Sequence, residues 1–312
     1  MRDKRVALVK NDQYWRQSEV KLASIDFSYM GIDSRTRLNL FKTGDIAAAM
    51  LDRDSVTEAL GEGMRIKTFP SGHLFHIQFS HRQEKLRSNF NLRKAISLSI
   101  DKDELVNRVV ASPGTRRSDS MFYDWMTLGD IKLIDLISPP VHENNVLEAK
   151  RYLEVARKQL NISGTSQRVA EYIQHELLSV GMELVIDPQV TQMMVKKWRS
   201  GISDLTLLTW PVNVDDPMDQ NPFMDNPGFR EVFQGLHAEQ DMASLYYLTR
   251  DAWTIEAKVA AIRDVQVLFD EKVTVLPSFE SYGTAIVSRR LKGFVLQPVR
   301  GYADYRYARV LP

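Results

Sequence analysis

The chain has no cysteine among its 312 residues. That excludes disulfides, thiolate metal sites and a thiol nucleophile, and leaves the compartment open. An excess of either charge is also missing. The 41 basic side chains are matched by 40 acidic ones for a net charge of +1, so the overall balance favours no polyanionic partner, nucleic acid included. No segment reaches the roughly 18 uncharged apolar residues of a membrane span. The opening stretch, Met1 to Lys10, carries basic residues without an apolar run of signal-peptide length. Read literally, the chain is soluble, carries no export signal of its own and is cytoplasmic if complete. It also lacks a glycine-rich phosphate loop, a zinc-protease motif, a nucleophile elbow, internal repeats and low-complexity tracts. Catalysis therefore has no positive support, and no cofactor or metal is expected.

What is present is ordinary for a globular protein, with 44% hydrophobic and 26% charged residues. The length exceeds what one core usually holds, which predicts two lobes. The most informative stretch runs from Asp204 to Pro217. Leu205 to Thr209 is a short apolar, β-prone run that reads as a buried strand. Pro211 and Pro217 lack the N–H that a ladder needs, so the chain is predicted to leave the sheet at about Trp210. An aromatic, an amide and two carboxylates (Trp210, Asn213, Asp215 and Asp216) then follow a strand's carboxyl end, where open α/β sheets usually bind ligands. The competing reading is a polar surface turn with Trp210 as a packing residue.

Along the chain, Val6 to Val9 reads as a strand, and Val20 to Tyr29 as a half-buried one. Asp33 and Ser34 offer N-cap chemistry for a helix that Gly44 stops, and Asp45 begins the next strand. A second helix covers Asp54 to Leu60, and Leu74 to Phe79 looks like a strand. Leu92 to Ser99 follows helical spacing, with Asp101 placed to cap a further helix. The Ser-, Pro- and Gly-rich span from Ser112 to Pro140 reads as a long structured loop. Helical periodicity returns at Val146 to Leu160, Ser166 to Val180, Val190 to Ser200, Ser244 to Arg250 and Thr254 to Lys272, with a strand at Glu183 to Ile186. Val273 to Phe279, with Pro277 inside it, resembles an edge strand or a crossing segment.

Several side chains invite a chemical role that the spacing does not support. His73 and His76 are three apart, so in a strand they face opposite sides and cannot hold one ion without distortion. The aspartates from Asp215 to Asp225 miss the calcium-loop spacing. Trp253 and Phe269 fit helical patterns and are expected in the core. Trp198, Phe122, Tyr123 and Trp125 read as packing residues ahead of ligand contacts. Arg116 and Arg117 read as a solvated pair ahead of a carboxylate lure.

The order of motifs resembles the peptide and nickel type (family 5) of extracellular solute-binding proteins of ABC importers. The resemblance rests on Asn11 with Tyr14 and Trp15 after the first strand, and on Thr36 to Asn39 followed by Gly44 to Ile46. It continues with Leu92 to Asp101, Glu148 to Lys150, Val169 to Gly181, and Trp210 with Asp216 and Pro217. No single motif is very specific, but together they run in family order over nearly the whole chain. Family members are usually far longer, which makes this chain an N-terminally truncated form. The strand normally found between the helices near Leu160 and Ser166 is expected to be absent.

The resemblance implies an α/β, bilobal periplasmic-binding-protein-like (type II) fold with mixed sheets and two crossings. Lobe A would span residues 1–90 plus 283–312, and lobe B residues 91–282. The crossings would pass near Asn89 to Arg93 and near Ser281 to Gly283. It also implies a peptide or similarly small polar ligand, held by Trp210, Asn213, Asp215, Asp216, Phe75, His76 and Tyr282 in a cleft between lobes. ABC permease subunits would be the partners, at the periplasm or cell surface. In the family's peptide binders an aspartate at the position of Asn213 pairs with the ligand's α-amino group. An amide there can accept a hydrogen bond but supplies no countercharge. Binding is expected to be weaker than in a complete family member. The alternative function is a ligand-sensing or interaction module derived from the family.

Overall fold

The structure is a computed structural model and describes residues 5–28, 33–80, 83–153, 160–164, 166–212, 216–217, 247–297 and 303–312. Two compact units emerge. The first comprises Met1–Ser71, Ser112–Gly114 and Tyr282–Pro312, and the second Gly72–Ala111 and Thr115–Ser281.

In the first unit β1 (Arg5–Val9) pairs antiparallel with β2 (Ser24–Ser28), Val9 opposite Ser24. Asp33 starts the helix Ser34–Thr43 by accepting the Thr36 N–H at 2.9 Å, and Gly44 ends it in the left-handed region at φ 84°. β3 (Ala48–Met50) follows. Asp52 then caps the helix Arg53–Gly61 by accepting the Ser55 N–H. Leu38, Ala49, Leu51, Val56 and Ala59 close a small core with Ile286.

The chain leaves this unit along β4 (Ile66–Phe79), a 14-residue strand that passes from one unit to the other between Ser71 and Gly72. The first crossing is thus in mid-strand, at a glycine with φ 70°. Asn89 to Arg93, the expected crossing, instead opens the helix Phe90–Ser99 of the second unit, where Asn89 caps the Leu92 N–H. Residues 72–90 accordingly cluster with the second unit. The strand expected only beyond Pro70 continues through it.

The second unit is built on a mixed sheet. After β5 (Arg116–Arg117), β6 (Thr127–Leu128) and β7 (Ile131–Lys132) come β8 (Leu160–Gly164), β9 (Leu184–Pro188), β10 (Leu205–Pro211) and β11 (Val275–Val287). The sheet order is β11, β4, β10, β8, β9, with β10 antiparallel to β4 and β8 parallel to both β10 and β9. β8 corrects the expectation that this strand is absent: five residues suffice because both neighbours supply ladder partners. The helices Val146–Leu153, Gln167–Ser179 and Thr191–Ser200 alternate with these strands. Ile77 and Phe79 of β4 point into a large core with Leu92, Ile96, Ile173 and Leu205. Leu74 joins a second core with Phe122, Tyr123, Ile262 and Phe269. The opposite cores reflect the period of two along the strand.

The 112–140 span is less irregular than expected, holding β5 to β7 and the short helix Leu133–Ile137. Phe122 and Tyr123 are fully buried in it. Trp253 is a correction. It is 98% exposed, because it precedes the Thr254 cap of the helix Ile255–Lys272 and so lies outside the helical stripe, whereas Phe269 is buried. β11 then returns the chain to the first unit between Ser281 and Tyr282. It is a crossing strand with β3, β4 and β5 as neighbours, so the edge alternative falls. The pairs β12 (Leu291–Lys292) with β15 (Arg309–Val310), and β13 (Val295–Leu296) with β14 (Ala303–Asp304), complete the first unit.

Candidate functional site

β10 remains in the ladder one residue beyond the predicted exit. Trp210 lies opposite Leu74 and Pro211 opposite His73. The Val212 N–H then donates to the Gly72 carbonyl at 2.8 Å. The carboxyl end of β10 is therefore fixed to the residue at which β4 enters the second unit. Asn213 and Asp215 lie outside the described residues, as does the Trp210 side chain. Asp216 is half-buried just beyond.

A buried polar frame holds this corner. The Tyr123 hydroxyl donates to the Gly72 carbonyl and accepts from the Leu74 N–H, both at 3.0 Å. Next to it in sequence, the Asp124 N–H donates to Oε1 of Glu280 at 2.7 Å. Glu280 lies opposite Arg116 across the β11 and β5 ladder, and its Oε2 is buried without a partner among the described residues. Burial pushes the Glu280 carboxyl up to about 8, with the Asp124 amide only partly offsetting the rise. At neutral pH this side chain is therefore mainly a neutral acid. Arg116 pairs with Asp124, and Arg117 with Asp103 and Asp119, so these guanidiniums serve the frame.

The remaining sequence-predicted residues are spread over both units. His76 is fully buried on β4, its Nδ1 3.4 Å from the Leu74 carbonyl oxygen, and burial lowers its pKa to about 4. It is thus a neutral imidazole at physiological pH. Phe75 stacks on Phe279 with centroids 4.5 Å apart and packs against the larger core. Tyr282 belongs to the first unit, where its ring packs so closely on Gly114 that a Cβ there would stand 3.0 Å from the ring. Among the described residues no group of three His, Cys, Asp or Glu could hold a metal ion.

Sequence reasoning missed Tyr123 and Glu280 as parts of this corner. For Glu280 a signal existed: a carboxylate directly after the apolar run Val275–Phe279. For Tyr123 there was none, since its partner Gly72 is 51 residues away.

The chain belongs to the bacterial extracellular solute-binding proteins, family 5, whose family model (Middle) matches residues 2–229. That family consists of binding proteins and not of enzymes. The chain is 22% identical over 335 residues to the dipeptide-binding protein DppE of Bacillus subtilis (strain 168), covering 98% of this chain and 58% of that protein. It is 21% identical over 336 residues to the oligopeptide-binding protein OppA of the same organism, covering 97% and 58%. Among solved structures, that of a putative peptide binding protein AppA from Clostridium difficile superposes with a TM-score of 0.85 at 15% identity. The superposition covers 98% of this chain and 65% of that one. The chain thus spans under two thirds of the length of these relatives. Among the described residues no helix is long and apolar enough to cross a membrane.

Proposed function

We propose that the protein is the ligand-binding component of an ABC importer and takes a peptide or a similarly small polar solute. Family membership supports this reading, as do relatives described as dipeptide- and oligopeptide-binding proteins. The observation that carries it is the attachment of the β10 end to Gly72: the backbone at Trp210 and Pro211 pairs with β4, and the Val212 N–H donates to the Gly72 carbonyl. In this proposal Trp210 offers an apolar platform, while Asn213, Asp215 and Asp216 supply acceptors for ligand N–H groups. Tyr282, on β11, is a further ligand contact in this reading. His76 is fully buried and Phe75 stacks on Phe279, and both act by supporting β4. The two units serve as the two lobes, ABC permease subunits are the partners, and the setting is the periplasm or the cell surface.

Asn213 argues for a ligand without a free α-amino group at that point. Titration calorimetry with one peptide ligand, and with its N-acetylated form, tests the reading. If no ammonium group meets Asn213, then Asn213→Asp desolvates an unpaired carboxylate and weakens binding. If an ammonium group does meet it, the substitution adds a charge-assisted bond of about 1.5 to 3 kcal/mol, roughly a tenfold to hundredfold gain. Tighter binding by Asn213→Asp with no change in Asp215→Asn would overturn the preference for an uncharged ligand terminus. Absence of any peptide binding would overturn the function itself.

A further inference from the structure

A concave site lies wholly within the first unit, and the β10 corner does not use it. A cavity of about 440 Å³ is lined by Arg65 and Lys67 from the start of β4 and by Ser288, Arg289, Lys292 and Phe294 around the turn after β11. Ile66 packs against the small core, so the period of two along β4 turns Arg65 and Lys67 together to the opposite face. No acidic side chain lines the cavity among the described residues. Arg65, Lys67, Arg289 and Lys292 have no ion pair or side-chain hydrogen bond there either.

Several cations elsewhere in the same unit are paired with carboxylates, whereas these four are gathered around one concavity without any among the described residues. Arg5 meets Asp26, Arg16 meets Glu19, Lys42 meets Glu58 and Glu62, and Arg306 meets Asp304. Four unpaired like charges around one concavity repel one another, and a bound anion relieves that repulsion.

The turn that carries two of them is firmly held. The Ser288 N–H donates to the Ala47 carbonyl, the Leu291 N–H to the Ser288 carbonyl, and the Leu311 N–H to the Arg290 carbonyl. Gly293 sits at φ 68°, so close to the turn before β15 that a Cβ would lie 2.0 Å from the Tyr307 carbonyl oxygen. The backbone between Arg289 and Phe294 is therefore fixed before any ligand arrives, which lowers the cost of ordering it on binding.

We propose that this cavity binds a multivalent oxyanion of the phosphate class. The two guanidiniums offer planar forks to its oxygens, the two ammonium groups act as point charges, and the Ser288 hydroxyl is a further donor. A soluble phosphate compound and the headgroup of an anionic phospholipid share this chemistry.

Two probes separate these sources: inorganic pyrophosphate in titration calorimetry at low salt, and co-sedimentation with phosphatidylcholine vesicles with or without phosphatidylglycerol. The purified chain is compared with Lys67→Gln/Lys292→Gln. The control is Arg108→Gln, which removes one charge from the second unit at a residue paired with Glu104. Saturable binding to pyrophosphate, to phosphatidylglycerol vesicles or to both, weakened about tenfold or more in the double variant and unchanged in the control, supports the site and identifies its source. Added salt should weaken the binding by screening. The mutated side chains are exposed, so the unfolding midpoint should not move; if it does, the single variant Lys292→Gln is read in place of the double one. The proposal is overturned if the wild-type chain binds neither probe saturably. It is equally overturned if the variant matches wild type, or if Arg108→Gln loses as much as the double variant, which would reduce the effect to general charge.

Discussion

The Tyr123 hydroxyl donates to the Gly72 carbonyl at 3.0 Å, and so ties the 115–126 segment to the point where β4 enters the second unit. The same oxygen accepts the Leu74 N–H. Tyr123→Phe keeps the ring in the core but strands that buried amide, at a cost of about 1 to 3 kcal/mol. Urea unfolding should show the loss as a lower midpoint with an unchanged slope. An unaltered midpoint would mean that the hydroxyl is dispensable.

Glu280 makes stability depend on pH. Its carboxyl is raised by burial from 4.5 to about 8 in the folded state. Between these values the folded chain holds a proton that the unfolded chain has released. The contribution is fully present below about 4.5 and is lost as pH rises toward 8. Glu280→Gln retains an acceptor for the Asp124 N–H and cannot ionise. Thermal unfolding across this range should show a smaller decline with rising pH in the variant than in wild type. Identical slopes would contradict the assignment.

Gly283 lies under the ring of Phe69. A Cβ at this position would stand 2.3 Å from the ring's Cζ, closer than any side chain tolerates. Gly283→Ala should destabilise the protein by about 1 to 3 kcal/mol. Adding Phe69→Leu should restore part of that loss, because it removes the obstructing ring. A double variant no better than the single one would show that the clash lies elsewhere.

Arg93 is buried, and its guanidinium donates to the carbonyls of Leu86, Lys272 and Val273. It thereby satisfies the end of the helix Ile255–Lys272, where a cation is also favoured by the helix dipole. Arg93→Leu should cost about 3 kcal/mol or more in chemical unfolding. A loss under about 1 kcal/mol would place the helix end's stability in packing alone.

Much of this architecture is legible in the sequence because local chemistry decides it. Asp33 with Gly44, and Asp101, mark helix ends through side-chain caps or a left-handed glycine. The end of β10 is legible to within one residue because Pro211 directly follows Trp210. What escaped depends on contacts distant in sequence. β8 is a strand only by virtue of β9 and β10 on either side. The crossing at Gly72 is hidden because β4 runs on through Pro70 without a loop to announce it. Trp253 has helical spacing, yet the Thr254 cap leaves it outside the helix and exposed. The partnership of Tyr123 with Gly72 exists only once the second unit has folded.

The central claim is that this chain binds a small peptide-like solute at the end of β10. Native mass spectrometry of the purified chain with a mixture of short peptides, free and N-acetylated, tests it most directly. The account predicts a one-to-one complex with a subset of the mixture, enriched in acetylated species and lost in Trp210→Ala. Retention of no peptide, or equal retention by Trp210→Ala, would contradict it.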